Sequence, residues 1–150
     1  MHNNTLEQYN ERTKKSMKTT VKIERFSLKF KNMLVSYLNE FDITINQFKV
    51  LEVLYHRGDL SIGSITKLTM STPGNITVVV KNLKRDGWIT AIPNKEDKRA
   101  SILTITSKGI EVIEKVFPNH AQNLHKSFEV LNDEELDTLY ELLEKVYKAN

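Results

Sequence analysis

The stretch that decides the fold is Thr72–Gly87, TPGNITVVVKNLKRDG. Thr72 is a residue type that caps helix N-termini, Pro73 suits the first helical position, and Gly87 suits the left-handed residue that follows a helix. Helical periodicity sorts the side chains between them into two faces. The apolar face holds Ile76, Val79, Val80 and Leu83. The opposite face holds Gly74, Thr77, Val78, Lys81 and Arg85. We predict a helix that buries its apolar face and presents a basic one.

Two short runs rich in branched and aromatic residues follow this helix, at Trp88–Ile92 and Ile102–Thr106. Such runs are typical of β-strands. The nine residues between them, Pro93–Ser101, contain three cations and two anions. We predict a β-hairpin with a long, charged tip.

Two more helices are predicted before Thr72. Thr44, followed three residues later by Gln47, forms a capping box, and Gly58 ends the helix that this box opens. Ser61 then caps a short helix of at most two turns. The first of these helices has little polar surface, as expected of a central helix, because it contains Phe48, Val50, Leu51, Val53, Leu54 and Tyr55.

Long amphipathic helices are predicted at both ends of the chain. The first runs from Ile23 to Phe41, and the residues before it could extend it or fray. A second begins at Ser107, with Pro118 expected to kink it. The last helix follows the capping pair Asn132 and Glu135 and repeats apolar residues at heptad spacing, at Leu136, Leu139, Leu143 and Val146. This apolar surface exceeds what one small core can cover, which predicts pairing with a second copy.

Charge is unevenly distributed along the 150 residues, whose 22 basic and 19 acidic side chains give a net charge of only +3. Residues 1–110 hold 18 basic and 10 acidic side chains, whereas the last forty hold 4 and 9. No acidic residue occurs at the 26 positions between Asp59 and Asp86. The basic part suits a polyanion, either a nucleic acid or a negatively charged membrane surface, and charge alone does not choose between them.

Composition excludes several classes of protein. The chain has no cysteine, so it forms no disulfide, thiolate metal site or thiol redox switch. It has no apolar run of about 18 residues and no secretory signal, so we expect a soluble, cytoplasmic protein of one domain. No catalytic motif is present, and we expect neither an enzyme nor a cofactor. His120 and His125 lie about 140° apart around a helix, which is poor geometry for a shared metal, although a zinc-responsive protein stays open.

The order helix, short helix, helix and hairpin is that of a winged helix-turn-helix, so the fold class is mainly α with a small β-hairpin. In this fold one helix enters the DNA major groove and the wing reaches the backbone or the minor groove. Hydrogen-bonding groups for DNA are expected from Ser61, Ser71, Thr72, Asn75 and Thr77. Lys81, Lys84 and Arg85 would neutralise phosphates, Gly74 allows close approach, and Val78 could touch a thymine methyl.

The wing region resembles the MarR family of bacterial transcriptional regulators. The resemblance lies in Gly87-Trp88-Ile89, in Ile92–Arg99 with its Asp-x-Arg, and in the closing Leu103–Gly109. It implies an obligate homodimer that binds a pseudo-palindromic operator, with Arg99 entering the minor groove and Asp97 supporting it. Lys95 and Lys98 would join them at the tip. The single domain 1–150 would comprise a winged lobe at about 44–106 and a helical dimerisation lobe at about 20–41 and 107–150.

The resemblance has departures and one further implication. Many members carry Arg where this chain has Val78 and Asp where it has Lys81, so base contacts do not transfer. Residues 52–59 and 116–121 loosely resemble the branch that responds to quinones and aromatic compounds. A repressor released by a small aromatic effector, bound between the winged lobe and the dimer helices, is therefore expected. Candidate lining residues are Phe30, Tyr37, Phe41, Phe48 and Tyr55. The alternative is a winged helix that binds a protein partner without sequence-specific DNA binding.

Overall fold

The helices and strands follow the predicted order. The computed structural model describes residues 8–94 and 101–149. Within these residues the elements are α1 (Glu11–Asn39), α2 (Ile45–Arg57), β1 (Leu60–Ser61), α3 (Ile62–Leu68), α4 (Pro73–Arg85), β2 (Ile89–Pro93), β3 (Ser101–Ile105), α5 (Ser107–Phe128) and α6 (Asp133–Ala149). The predicted fold class, mainly helical with a wing hairpin, is confirmed.

The predicted caps form as reciprocal hydrogen bonds. The Gln47 amide donates to Thr44 Oγ1 at 3.2 Å, and the Thr44 amide donates to Gln47 Oε1 at 3.0 Å. The pair before α6 repeats this arrangement, because the Glu135 amide donates to Asn132 Oδ1 at 2.9 Å and the Asn132 amide to Glu135 Oε2 at 3.0 Å. Ser61 caps α3 and Thr72 caps α4 as predicted. These local bonds fix where four of the helices begin.

Helix α1 is longer than the apolar pattern required. Asn10 accepts a hydrogen bond from the Thr13 amide at 2.8 Å, so the helix begins at Glu11, twelve residues before Ile23. This first part of α1 is largely exposed and carries a high density of basic side chains. Its capping residue, rather than burial, determines its start.

The hydrophobic core forms where α2 and α4 face the wing sheet and the neighbouring ends of α1 and α5. Its buried members are Leu34, Leu38, Ile43, Phe48, Val50, Leu51, Leu54, Ile65, Ile76, Val79, Val80, Leu83, Ile89, Leu103, Ile113 and Val116. The predicted apolar face of α4 is therefore buried in full. Because α1 and α5 each contribute two of these residues, the core also ties the terminal helices to the winged region.

The sheet contains a strand that the sequence pattern did not reveal. Leu60 pairs with Leu103 and Ser61 with Ile102, so β1 adds to the edge of β3 and gives the antiparallel order β1-β3-β2. The hairpin strands lie one residue away from their predicted bounds, because Thr106 leaves β3 and caps α5. Helix α5 continues through Pro118 without interruption.

Helix α6 has no buried residue. Its heptad stripe is largely open to solvent in the single chain, with Leu143 45% and Val146 60% exposed. The predicted surplus of apolar surface is thus present at the C-terminal helix.

Candidate nucleic-acid interface

A tight turn joins α3 to α4 and sets the direction of α4. Buried Thr69 lies with its hydroxyl oxygen 2.8 Å from the Ile65 carbonyl oxygen and 2.9 Å from Ser71 Oγ. The Ser71 amide donates to the Thr66 carbonyl at 3.0 Å. Met70 takes a left-handed conformation with φ of 52° and is 79% exposed. The turn is therefore held by hydrogen bonds while its apolar tip points into solvent.

The first turn of α4 is open to a ligand. Thr72 Oγ1 accepts the Asn75 amide at 3.3 Å, and Pro73 has no amide hydrogen to satisfy. A Cβ added to Gly74 would meet no atom within 4 Å, so packing does not require glycine there. The positive end of the helix dipole and this unobstructed backbone suit an anion such as a DNA phosphate.

The outer face of α4 presents polar and basic groups to solvent. The Asn75 side chain is exposed and makes no hydrogen bond to any residue that the structure describes, and Val78 is 58% exposed. Thr77 donates its hydroxyl proton to the Pro73 carbonyl at 2.8 Å, so its oxygen is left as an acceptor. Lys81 and Lys84 are also exposed. Hydrogen-bonding and cationic groups thus share one accessible surface.

Arg85 differs from the two lysines. Its Nε donates to Asp86 Oδ1 at 3.0 Å, which partly neutralises the guanidinium. Lys108 Nζ donates to the Asp86 carbonyl oxygen at 2.9 Å and so caps the C-terminal end of α4. Lys81 and Lys84 form no ion pair within residues 8–94 and 101–149, so their charges are not neutralised by any residue in those ranges.

The base of the wing is clamped to the end of α4. Thr106 Oγ1 donates to the Gly87 carbonyl at 2.7 Å, and the Thr106 amide donates to the Trp88 carbonyl at 3.0 Å. The same hydroxyl accepts the Gly109 amide at 3.1 Å. A Cβ on Gly109 would lie 2.1 Å from Trp88 O, so this contact requires glycine. The wing and α4 therefore keep one relative orientation.

Two of the residues predicted to bind DNA, Ser61 and Ser71, make contacts within the protein. Ser61 caps α3, where its hydroxyl accepts the Ser64 amide at 3.1 Å and lies 3.0 Å from Ser64 Oγ. Ser71 is half-buried in the turn before α4. The tip residues Lys95, Asp97, Lys98 and Arg99 lie outside the described residues.

Known proteins are similar to this chain in sequence and fold. The sequence profile of the MarR family matches residues 43–101. The multiple antibiotic resistance protein MarR of Salmonella typhimurium is 32% identical over 115 residues, covering 76% of this chain and 80% of that protein. The chain belongs to the MarR family. The transcriptional regulator MhqR of Bacillus subtilis is 29% identical over 134 residues, covering 89% of this chain and 92% of that protein.

A solved structure gives the same answer for the fold. A mutant MarR from E. coli complexed with operator DNA is 28% identical and superposes with a TM-score of 0.78, covering 88% of this chain and 95% of that chain. The protein is thus a winged helix-turn-helix, DNA-binding transcriptional regulator of the MarR family.

Within the described part of the chain, none of the helices combines the length and apolar character needed to cross a membrane. The same residues contain no cluster of three His, Asp or Glu side chains arranged to hold a metal ion.

The aromatic residues predicted to line an effector site of this MarR-family protein do not share one environment. Tyr37 and Phe41 are neighbours, with ring centroids 5.2 Å apart. Tyr37 lines an open groove of about 540 Å³ between α1 and α5. Phe30 packs further along α1 against Phe26, with centroids 6.1 Å apart. Tyr55 donates to Glu114 Oε1 at 3.2 Å, on exposed surface of α2 and α5.

Phe48 is a core residue, which corrects its assignment to an effector site. It is 1% exposed, and its ring packs edge-on against His120 with centroids 4.8 Å apart. It is buried together with Val50, Leu51 and Leu54 of the same helix. Aromatic residues at helical spacing predict a buried face as readily as a ligand site, so the sequence could not separate the two.

Tyr37 joins two of the long terminal helices through a hydrogen bond. Its hydroxyl donates to the Val116 carbonyl oxygen at 2.7 Å, joining α1 to α5. Burial raises the pKa of the Tyr37 hydroxyl above its usual value, and nearby Glu40 adds to the increase. The hydroxyl therefore stays protonated and able to donate.

His120, considered above with His125 as a metal ligand, has an unusual environment for a histidine. It is 6% exposed, and its Nδ1 is buried without a hydrogen-bond partner among the described residues. Burial lowers the pKa of the imidazole below its usual value of about 6.5. The unfolded chain then binds a proton at a pH where the folded chain does not. The contribution of His120 to stability is therefore present above about pH 6.5 and is lost as the pH falls toward the lowered pKa.

Proposed function

We propose that this protein is a homodimeric repressor that binds a pseudo-palindromic operator through α4 and the wing, and that a small phenolic or quinone-like ligand releases it. The observation that carries the DNA assignment is the outer face of α4. It combines an unobstructed helix N-terminus at Gly74, an exposed amide at Asn75 and two exposed lysines, Lys81 and Lys84. These are the groups that contact phosphates and base edges in the major groove.

Each residue on this face has a distinct proposed role. The Asn75 amide can form two hydrogen bonds with adenine, and Val78 can contact a thymine methyl. Lys81 and Lys84 bind phosphates, as does the start of α4 around Gly74. From the family resemblance, Arg99 at the wing tip enters the minor groove and is positioned by Asp97. The carboxylate of Asp97 would restrict the guanidinium to one orientation.

The proposed homodimer is supported by exposed apolar side chains on the terminal helices. Exposed apolar residues of α1 and α6 include Met17, Val21, Leu28, Val35, Leu136, Leu142, Leu143 and Val146. A second copy would cover them and would place two α4 helices on one duplex, as a pseudo-palindromic operator requires. In this arrangement residues of about 44–106 contact DNA, and residues of about 20–41 and 107–150 hold the dimer together.

The ligand-release proposal rests on the connection between α1 and α5. The groove beside Tyr37 lies where these helices meet, and its lining includes Glu40, Asn119 and Asn123. A ligand bound there needs only to favour a dimer in which the two α4 helices no longer match successive turns of DNA. A tenfold loss of DNA affinity takes about 1.4 kcal/mol of such preference. IacR of Pseudomonas putida, 28% identical over 110 residues, is named a transcriptional repressor, which supports the proposed sign of regulation.

The DNA assignment is tested by the salt dependence of binding. The purified protein selects duplexes from a random pool, and anisotropy then gives the affinity of a selected duplex between about 50 and 200 mM salt. Lys81→Ala and Lys84→Ala each lower the slope of log affinity against log salt by about one per subunit. Lys126→Ala, an exposed lysine of α5, is the matched control and leaves the slope unchanged. The proposal would be contradicted if all three variants had the parent's slope of log affinity against log salt. It would also be contradicted if the protein bound no duplex at low salt.

The release step is tested on the same complex. Phenols and quinones are titrated against the protein bound to its selected duplex. At least one compound is expected to lower the affinity by about tenfold, and its effect is expected to weaken in Tyr37→Phe. Compounds that lower the DNA affinity of Tyr37→Phe as much as that of the parent would show that the effector binds elsewhere.

A further inference from the structure

Helix α2 packs against both α5 and α4, so it connects the helix proposed to read DNA with one of the long terminal helices. Two pairs of rings form part of its contact with α5. Phe48 lies edge-on to His120 with ring centroids 4.8 Å apart, and His56 lies at the same distance from Phe117. A change in this contact therefore reaches α4 through a single helix.

His120 is the buried histidine of this contact. It is 6% exposed, and its Nδ1 is the one fully buried side-chain nitrogen or oxygen without a hydrogen-bond partner in the part of the chain that the structure describes. In the neutral ring with its proton on Nε2, Nδ1 carries no hydrogen, and the imidazole packs against Phe48 as an aromatic side chain. The protonated ring adds a charge and an N–H group at Nδ1, which has no acceptor among those residues. Protonation is therefore costly while α2 and α5 stay packed.

The groups around His120 do not offset this cost. The titratable side chains near the contact come from three helices: Glu52, Tyr55 and His56 of α2, Tyr37 and Glu40 of α1, and Glu114 of α5. None of them forms a hydrogen bond or an ion pair with His120 in the described ranges. Burial lowers the pKa of the His120 imidazole, and no neighbouring charge opposes that change. Burial also raises the pKa of the Glu52 carboxyl, so this group too loses its charge as the pH falls.

We propose that His120 is a proton-binding site whose occupation loosens the contact between α2 and α5 and weakens DNA binding. The inference rests on the proposed role of α4 in reading DNA and adds an acid-sensitive step to it. A proton favours whichever arrangement lets water reach Nδ1, so acid shifts the population toward a state in which α2 has moved away from α5. Because α4 packs against α2, that movement displaces α4 from its place on DNA.

The expected pH dependence has the opposite sign to that of an ordinary basic protein. Acid adds positive charge to exposed histidines such as His56 and His125, which by itself strengthens the attraction to DNA phosphates. Release through His120 instead weakens binding as the pH falls below about 6.5, the usual pKa of a histidine. One pH unit below that value, the affinity is expected to fall by up to about tenfold for each subunit.

The test compares duplex affinity at about pH 7.5 and about pH 5.5 in the parent, in His120→Leu and in His125→Leu. Anisotropy at constant ionic strength measures the affinity for a selected duplex. The parent is expected to bind at least about tenfold more weakly at the lower pH. His125→Leu is the matched control, since it removes an exposed histidine of the same helix, and it is expected to weaken like the parent. His120→Leu is expected to bind equally well or more tightly at the lower pH.

Two results of this titration would overturn the inference. One is a parent that binds DNA as tightly at the lower pH as at the higher one. The other is a His120→Leu variant whose affinity falls as much as the parent's. Circular dichroism at both pH values measures helix content, which is expected to stay constant. A parent that loses helix content together with DNA affinity would also overturn the inference, because acid would then unfold the chain rather than loosen one contact.

A nuclear magnetic resonance titration of the parent without DNA keeps the inference testable if His120→Leu folds poorly. The resonance of the His120 ring is identified by its absence from His120→Gln. Its pKa is expected to lie below about 6.5, and a value at or above 6.5 would overturn the inference whether or not DNA binds. A parent that binds no duplex at about pH 7.5 would instead contradict the proposed function, and the titration would still decide whether His120 resists protonation.

Discussion

The close approach of Gly109 to Trp88 makes the contact between α5 and the base of the wing sensitive to a single methyl group. A Cβ at this position would lie 2.1 Å from Trp88 O and 2.8 Å from Ile105 Cγ1. The nearest atom is a backbone oxygen that also accepts the Thr106 amide at 3.0 Å, so it cannot simply rotate away. Gly109→Ala therefore forces the hairpin and α5 apart by on the order of 1 Å.

The cost of this displacement can be estimated. Overpacking of this kind costs about 1–3 kcal/mol, and weakening the Thr106 hydrogen bond adds about 1 kcal/mol. Replacing glycine in a helix returns at most about 1 kcal/mol. The net loss is about 1–3 kcal/mol, which lowers the thermal midpoint of a chain this long by roughly 2–12 °C.

Thermal unfolding followed by circular dichroism measures the effect, with all proteins at one concentration because dimerisation raises the midpoint. The matched control is Gly63→Ala in α3, whose added Cβ would meet only Ser61 Oγ at 3.9 Å. That variant is expected to melt at or slightly above the parental temperature, because alanine favours a helix. A Gly109→Ala midpoint within about 2 °C of the parent would refute the reasoning from close approach.

Three further predictions follow from the site. Gly74→Ala is expected to keep or slightly raise the melting temperature, since a Cβ there meets no atom within 4 Å, but to weaken binding to a selected duplex in an anisotropy titration. Equal DNA affinity would show that the start of α4 does not approach the backbone. Arg99→Ala is expected to weaken duplex binding at least about tenfold while sedimentation shows an unchanged dimer. Binding as tight as the parent's would remove Arg99 from the wing contact. The parent is expected to lose more thermal stability than His120→Leu between about pH 8 and pH 5, because burial lowers the pKa of His120. An equal fall in the melting temperature of the two proteins across that pH range would show that His120 does not cause the loss.

Sequence reasoning succeeded where structure is determined locally. Thr44 with Gln47, and Asn132 with Glu135, form caps within four residues of chain, so their spacing is enough to predict them. The two faces of α4 also follow from helical periodicity, because its buried face is apolar throughout and its outer face, apart from Gly74 and Val78, is polar or basic. The bounds and the exposed face of this helix could therefore be predicted from the sequence.

Features that depend on distant partners were missed. The two-residue strand β1 exists only because Leu60 meets Leu103, forty-three positions away, and two residues carry no recognisable period. The left-handed Met70 breaks the usual preference for glycine, and hydrogen bonds of its neighbours hold it there. The Thr106 clamp was visible only as part of a family pattern, with no indication of which carbonyl its hydroxyl binds.

Side-chain hydrogen bonds at the site could not be predicted from the sequence. Thr77 uses its hydroxyl proton within α4, and Arg85 shares its charge with the adjacent Asp86, so both are weaker DNA ligands than residue type suggests. Phe48 has the same helical spacing as a pocket residue but points into the core. The composition of a helix face gives its general character, whereas internal hydrogen bonds and rotation decide which groups remain available.

The central claim is that α4 reads base edges, and the affinity ratio between a selected and a scrambled duplex tests it most directly. Asn75→Ala is expected to weaken binding to the selected duplex by about 1–3 kcal/mol. Its affinity for the scrambled duplex is expected to stay within about twofold of the parent's, since phosphate contacts are untouched. Equal loss on both duplexes, or no loss on either, would contradict the assignment of α4 as the reading helix.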